Sequence, residues 1–277
     1  MSGTKSSILC NADAAGGALE GFPVDILHKT EFSTYFNDFQ SKDGANAGIG
    51  GAFPASDWDL AQMETGTAQG SVVSGGAHTE NGILFLDCPG ANQGPILQFD
   101  SSASAASAAV GHLSNPSTST LRPKKTVFAT KISAPDISEV GFFIGMHTWT
   151  GEIMQSAGSG ALTDTNYIGV HHLSTDNGAI RCIAEGNTAG QSSVQPGLVL
   201  GDAEWLSIIC RMEGANRASI YLKKDGAAQS WTKALDTQLA TNWSGQLCIT
   251  MAMFGSGVGK DLYVDYVLCS TSREYLR

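Results

Sequence analysis

The stretch 204–269 constrains this chain more than any other. Leu206, Ile208, Cys210 and Met212 share one parity, and Ser207, Ile209 and Arg211 share the other. That near-alternation is the period of a strand with one buried face. Glu213-Gly214-Ala215-Asn216 reverses the chain, and ASIYLKK returns it. Lys224-Asp225-Gly226 makes the next turn, because Asp-Gly tolerates the positive φ of a tight reversal. Strands over 246–254 and 261–269 follow, separated by the Gly255-Ser256-Gly257 break. Antiparallel strands in series, each with one apolar face, require a second sheet to cover them.

The rest of the chain extends that pattern. ENGILFLDCPG (80–90) and ILQFD (96–100) read as strands and as candidate partners across the intervening turn. KTVFATKIS (125–133) alternates, and VGFFIGM (140–146) is the most apolar run and reads as a central strand. NYIGVHHL and AIRCIAE flank Asp176-Asn177-Gly178, a strong hairpin signal. About ten strands and no long helical period predict an all-β fold, an antiparallel sandwich or jelly roll. With 277 residues and 42% hydrophobic content, one domain of this kind accommodates the chain. We expect an N-terminal arm over 1–30 and a sandwich over 31–277 interrupted by a low-complexity loop at 101–123, whose Ala-rich half allows a helical turn. The aromatic cluster Phe32, Tyr35, Phe36, Phe39, Phe53 and Trp58 is expected to start the core.

Composition excludes several functions. The formal net charge is −10, and Lys124-Lys125 and Lys223-Lys224 are isolated pairs, so no basic groove for nucleic acid is expected. No apolar run reaches a membrane span, and the start carries no signal-peptide core. The six cysteines form no CxxC or His/Cys cluster, which argues against zinc and for buried, reduced thiols made in a cytosol. Asp164, Asn166, Asp176 and Asn177 lack an ordered acidic ligand set and read as turn formers rather than a calcium site. No metal or other cofactor is expected.

Catalytic patterns are also missing. Glycoside hydrolysis needs two carboxylates across the scissile bond, and no Glu-x-Asp-x-Glu-like strand is present. Asp57/Asp59 sit at a loop start, Asp136/Glu139 fall on opposite parities, and Asp261/Asp265 share parity but read as a solvent row. His171-His172 point to opposite faces of one strand and cannot share a metal. The chain is therefore not expected to be an enzyme. Trp149, Trp231 and Trp243 lie in or near loops and are the candidate aromatic platforms for carbohydrate; packing is the competing role for each.

From about residue 31 to the end, the chain resembles the concanavalin A-like jelly rolls of tailed-phage structural proteins. The resemblance rests on YFNDF (35–39), Trp58 after a Gly-rich loop, NGILFLD, KKTVFATKI with VGFFIGM, the EWLSIICRME–ASIYLKKDG ribbon, and the closing DLYVDYVLCSTSR. It implies a virion structural protein, assembled in the host cytoplasm: a capsid decoration or cement protein, or a head or tail fibre. It further implies the major capsid protein and copies of itself, often as a trimer, as partners. The alternative within the same resemblance is an adhesin that binds host-surface glycans. No catalytic motif comes with it.

Overall fold

The computed structural model describes residues 32–37, 58–63, 77–80, 83–88, 93–99, 122–123, 125–148, 153–154, 162, 165–186, 191–214, 216–226, 230–241, 243, 247–257, 259–272 and 275–276. The expected arm at 1–30, most of the 101–123 loop and the side chains of the early aromatic cluster lie outside the described residues.

The strands are β1 (Phe32–Asn37), β2 (Trp58–Met63), β3 (Ala77–Glu80), β4 (Ile83–Asp87), β5 (Gly94–Phe99), β6 (Arg122–Pro123), β7 (Lys125–Ser133), β8 (Val140–Thr148) and β9 (Tyr167–His172). After them come β10 (Arg181–Glu185), β11 (Ser192–Val194), β12 (Trp205–Glu213), β13 (Arg217–Lys224), β14 (Thr232–Gln238), β15 (Leu247–Gly255), β16 (Asp261–Ser272) and β17 (Tyr275–Leu276). The described helical residues form two 3-10 turns, Ile137–Glu139 and Ser174–Asp176. No helix among the described residues is long and apolar enough to cross a membrane.

Two antiparallel sheets form a sandwich, as the strand pattern predicts. One runs β14-β13-β12-β7-β16-β4-β3, with β1 also paired to β16; the other runs β11-β10-β9-β8-β15-β5-β2. β8 is indeed central in the seven-stranded sheet, and the β9–β10 hairpin pairs as its turn predicts. The turn residue Asn177 adopts the left-handed conformation at φ 48° that Asn tolerates. Asp176 closes the hairpin by accepting two hydrogen bonds from Arg181, at 2.8 and 2.9 Å.

Residues of one parity from each sheet meet in the middle. Phe142, Ile144 and Met146 of β8, Ile249, Met251 and Met253 of β15, and Leu206, Ile208 and Cys210 of β12 belong to one continuous core. Burying each such side chain contributes about 1.5–3 kcal/mol.

Two expectations are corrected. β4 and β5 do not pair: they lie in different sheets, and β4 pairs β16 while β5 pairs β15 and β2. Both present leucines to the same core from opposite sides, Leu84 and Leu86 from one sheet and Leu97 from the other. The connection between them thus crosses the sandwich instead of closing a hairpin. The second correction concerns Asp261 and Asp265. Register along β16 skips from Val264 to Tyr266, which leaves Asp265 as the extra residue of a bulge. The bulge inverts parity: Leu262 and Val264 face the core before it, Val267 and Cys269 after it. The two aspartates are therefore not members of one regular row.

Candidate functional site

The second face of the seven-stranded sheet, turned away from the core, carries a set of polar groups. Cross-strand register assembles it in rows. Glu185, Tyr167, His147 and Cys248 stand side by side on β10, β9, β8 and β15. The next row is Ile183, Gly169, Gly145, Thr250 and Gln98. His171, Phe143, Ala252 and Ile96 form the one after.

Hydrogen bonds run along these rows. Tyr167 donates its hydroxyl to Glu185 Oε2 at 2.5 Å and accepts from Gln191 Nε2 at 2.8 Å. Gln98 Nε2 donates to Thr250 Oγ1 at 2.9 Å, and that hydroxyl donates to the Cys248 carbonyl at 3.3 Å. Gln98 Oε1 is buried and meets no donor among the described residues.

Among the described residues this face is largely covered. Ile96, Phe143, Tyr167, Ile183, Ala252 and Phe254 build a second apolar cluster on it, and Ile153 and Met154 complete that cluster from the segment after β8. Met154 bridges to Leu162, which packs against the same cluster. Gln98, Thr250 and His147 have no exposed surface beneath this layer. Gly145 and Gly169 lie directly opposite each other, so the centre of the face carries no side chain. An ideal Cβ on Gly145 would stand 2.2 Å from the Ile168 carbonyl oxygen, and one on Gly169 would stand 3.0 Å from the Phe143 ring. The two strands approach that closely only because both residues are glycine.

The two candidate tryptophans within the described residues, Trp231 and Trp243, do not share a site. Trp149 lies outside the described residues. Trp243 is 0% exposed, packs in the inter-sheet core and points Nε1–H at the Tyr167 carbonyl at 3.4 Å, so it offers no ring face to a ligand. Trp231 is half-buried at the entry to the edge strand β14. Beside its neighbour Thr232 lies a cleft of about 250 Å³, lined by Pro196, Leu198, Val199, Leu222 and Lys224. Val199 is 53% exposed at its rim. Lys224 is engaged there by Glu204 and by the Val199 carbonyl, the latter at 3.0 Å. That ion pair holds Glu204 below the usual carboxylate range.

A feature that sequence reading along single strands missed lies on the outer face of the eight-stranded sheet. Asp261 of β16 is directly opposite Asp87 of β4. Burial, then the facing Asp87 carboxyl, push Asp261 up to about 7. Phe85 and Tyr263 are the next outward pair on the same strands, edge to face with ring centroids 4.6 Å apart. Burial first, then the two aspartates, raise the Tyr263 phenol.

The histidine pair splits as its parity predicts, though both members are buried. His172 faces the core side with its ring nitrogens 3.1 Å from the carbonyls of Ala179 and Ile137. Among the described residues no cluster of three or more His, Cys, Asp or Glu is placed to hold a metal ion. The five described cysteines are free and buried. Burial drives Cys182 up to about 12 and Cys210 well above its ordinary value.

No family model matches the chain, and no curated protein matches it in sequence. Solved structures do. At TM-score 0.52 and 9% identity it is similar to an immunostimulatory antigen and pseudo β-1,3-glucanase of Mycobacterium tuberculosis, covering 86% of this chain and 98% of that one. A non-specific endo-β-1,3(4)-glucanase of family GH16 follows at 0.51 and 14% identity, covering 88% and 92%. The CBM2 module of the evolved Dit protein of Lactobacillus casei BL23 phage J-1 gives 0.50 and 14% identity, covering 88% and 98%. At these identities the likeness is one of fold: the chain is an antiparallel sandwich of the lectin and glucanase jelly-roll type.

Proposed function

We propose that this chain is a non-catalytic structural protein of a phage particle, a capsid decoration protein that binds the major capsid protein and other copies of itself. The observation that carries this reading is the covered outer face of the seven-stranded sheet. Among the described residues, Gln98 and Thr250 bond to each other with no exposed surface, and Ile153 and Met154 join the apolar cluster on the same face, which disfavours an open substrate cleft there. The carboxyl pair Asp87–Asp261 faces outward on the opposite sheet, away from this face. Such a molecule works through its rims, loops and edges. A module of a phage Dit protein among the structures of similar fold is in keeping with a particle setting.

Immunogold electron microscopy of virions from the source, with antibody to this chain, tests the proposal. Label over the head supports decoration, and absence of label from particles overturns the virion reading. A second reading, a glycan-binding adhesin, is favoured by the half-buried Trp231, next in sequence to Thr232, which lines the 196–199 cleft. It predicts label at the tail and loss of glycan-array binding on Trp231→Ala.

A further inference from the structure

β11 ends the strand order of the seven-stranded sheet and β14 that of the eight-stranded one. The two edges meet where Ser192 Oγ lies 3.3 Å from Thr237 Oγ1. Further along, the segment after β11 and the start of β14 flank the cleft of about 250 Å³ lined by Pro196, Leu198, Val199, Leu222, Lys224 and Thr232. Its wall is fixed by backbone bonds. Ile180 N donates to the Leu198 carbonyl at 3.1 Å, Leu200 N donates to the Gly178 carbonyl at 2.9 Å, and Val199 bridges Ala179. Gly197 turns the segment at φ 74°, in the left-handed region that glycine enters freely. Lys224 ties β13 to the same wall through the Val199 carbonyl at 3.0 Å. A wall tied at these points is in place before any ligand arrives.

The lining combines apolar surface with hydrogen-bond donors. Leu222 belongs to the inter-sheet core, and Leu198 packs against that core. The exposed large hydrophobic side chains among the described residues are Val194 and Val199, and both lie on this edge. The Lys224 ammonium carries three N–H donors. Glu204 and the Val199 carbonyl take two of them. The third, with the hydroxyl of the exposed Thr232, is left for a ligand among the described residues. Glu204 also balances the ammonium, and the pairing keeps its carboxylate ionised below the usual range. The pair therefore brings donors to the cleft without net charge.

We propose that this cleft binds a single neutral sugar ring, with the ring's C–H face on Val199 and Leu198 and its hydroxyls accepting from Lys224 and Thr232. A sugar ring offers that pairing of an apolar face with a rim of hydroxyls. The cleft is smaller than the roughly 300–1,000 Å³ of sites for drug-sized ligands, so it takes one ring and not an oligosaccharide. An acidic sugar is disfavoured, because its carboxylate would approach Lys224 against the repulsion of Glu204. The proposal rests on the glycan-binding reading and gives that reading a site and a ligand class.

The test is an amide chemical-shift titration of the full chain with the methyl glycosides of glucose, galactose, mannose and N-acetylglucosamine, and with glucuronate, beside a glycan array. So small a ligand should bind with about millimolar affinity. The amides of 197–200, 222–224 and 232 should shift saturably with at least one neutral glycoside. Val199→Glu should abolish those shifts, and Thr232→Val should weaken binding about fivefold. Val194→Ser, on the same edge but outside the lining, should bind as the parent does. All three positions are exposed, so the variants should keep the parent's urea midpoint. Array binding that leaves the cleft amides unmoved, or that survives Val199→Glu, overturns this site and leaves the glycan-binding reading standing. Saturable shifts with glucuronate alone overturn the ligand class. Absence of both array binding and cleft shifts overturns the site and that reading together.

Discussion

Replacing Gly145 by alanine tests the closest strand approach in the seven-stranded sheet. The added Cβ would lie 2.2 Å from the Ile168 carbonyl oxygen and 2.6 Å from the Gly169 Cα. Both are backbone atoms of the hydrogen-bonded neighbour, so no side chain can rotate away. Relief requires β8 and β9 to shift apart between two apolar layers, where Phe142 and Ile144 pack on one side and Phe143 on the other. Overpacking of this kind costs about 1–3 kcal/mol. Alanine regains up to about 1 kcal/mol through its smaller backbone entropy loss. The net expectation is a loss of about 1–2 kcal/mol, or about 2–8 °C in Tm for a domain of this size. Urea unfolding measures it, provided the transitions are single and the slope m is unchanged. Gly257→Ala is the control, since a Cβ there meets nothing within 4 Å; it should stay within about 0.5 kcal/mol of the parent. A Gly145→Ala protein as stable as that control would refute the argument that the glycine pair is required by strand approach.

The tryptophans and thiols give two further tests. Trp243→Ala removes a wholly buried indole and should cost about 3–5 kcal/mol, whereas Trp231→Ala at the half-buried edge should cost under about 1 kcal/mol; equal losses on urea unfolding would contradict the placement of the two rings. In the native protein at pH 8, a thiol-specific disulfide reagent should leave the five buried cysteines unmodified, with Cys182 pushed up to about 12. Unfolding should expose all six, and prompt native reaction of two or more would count against the buried core.

What the sequence made legible was whatever depends on period alone. Alternation over 206–212 placed Leu206, Ile208 and Cys210 toward the core, as found, and Asp-Asn-Gly marked the β9–β10 reversal. Period does not reveal which strand lies alongside, because a turn between two amphipathic strands permits either pairing or a crossing to the opposite sheet. β4 and β5 crossed. The same gap hid the carboxyl pair: Asp87 and Asp261 are far apart in sequence and meet only through the β4–β16 register. It also concealed the covered face, since alternation assigns Thr250 and Gln98 to water, yet both are buried. Trp243 misled in the other direction. Its neighbours Asn242, Ser244 and Gly245 are those of a loop, but an indole that reaches the Tyr167 carbonyl from the core is part of the packing, whatever the polarity of the segment that carries it. In a two-sheet protein the face of a residue is therefore local information, and its partner is not. A reading of function that depends on two groups meeting, as hydrolysis or proton sharing does, has to be made from register, while one that depends on a single buried or exposed side chain can be approached from the pattern and corrected by the fold.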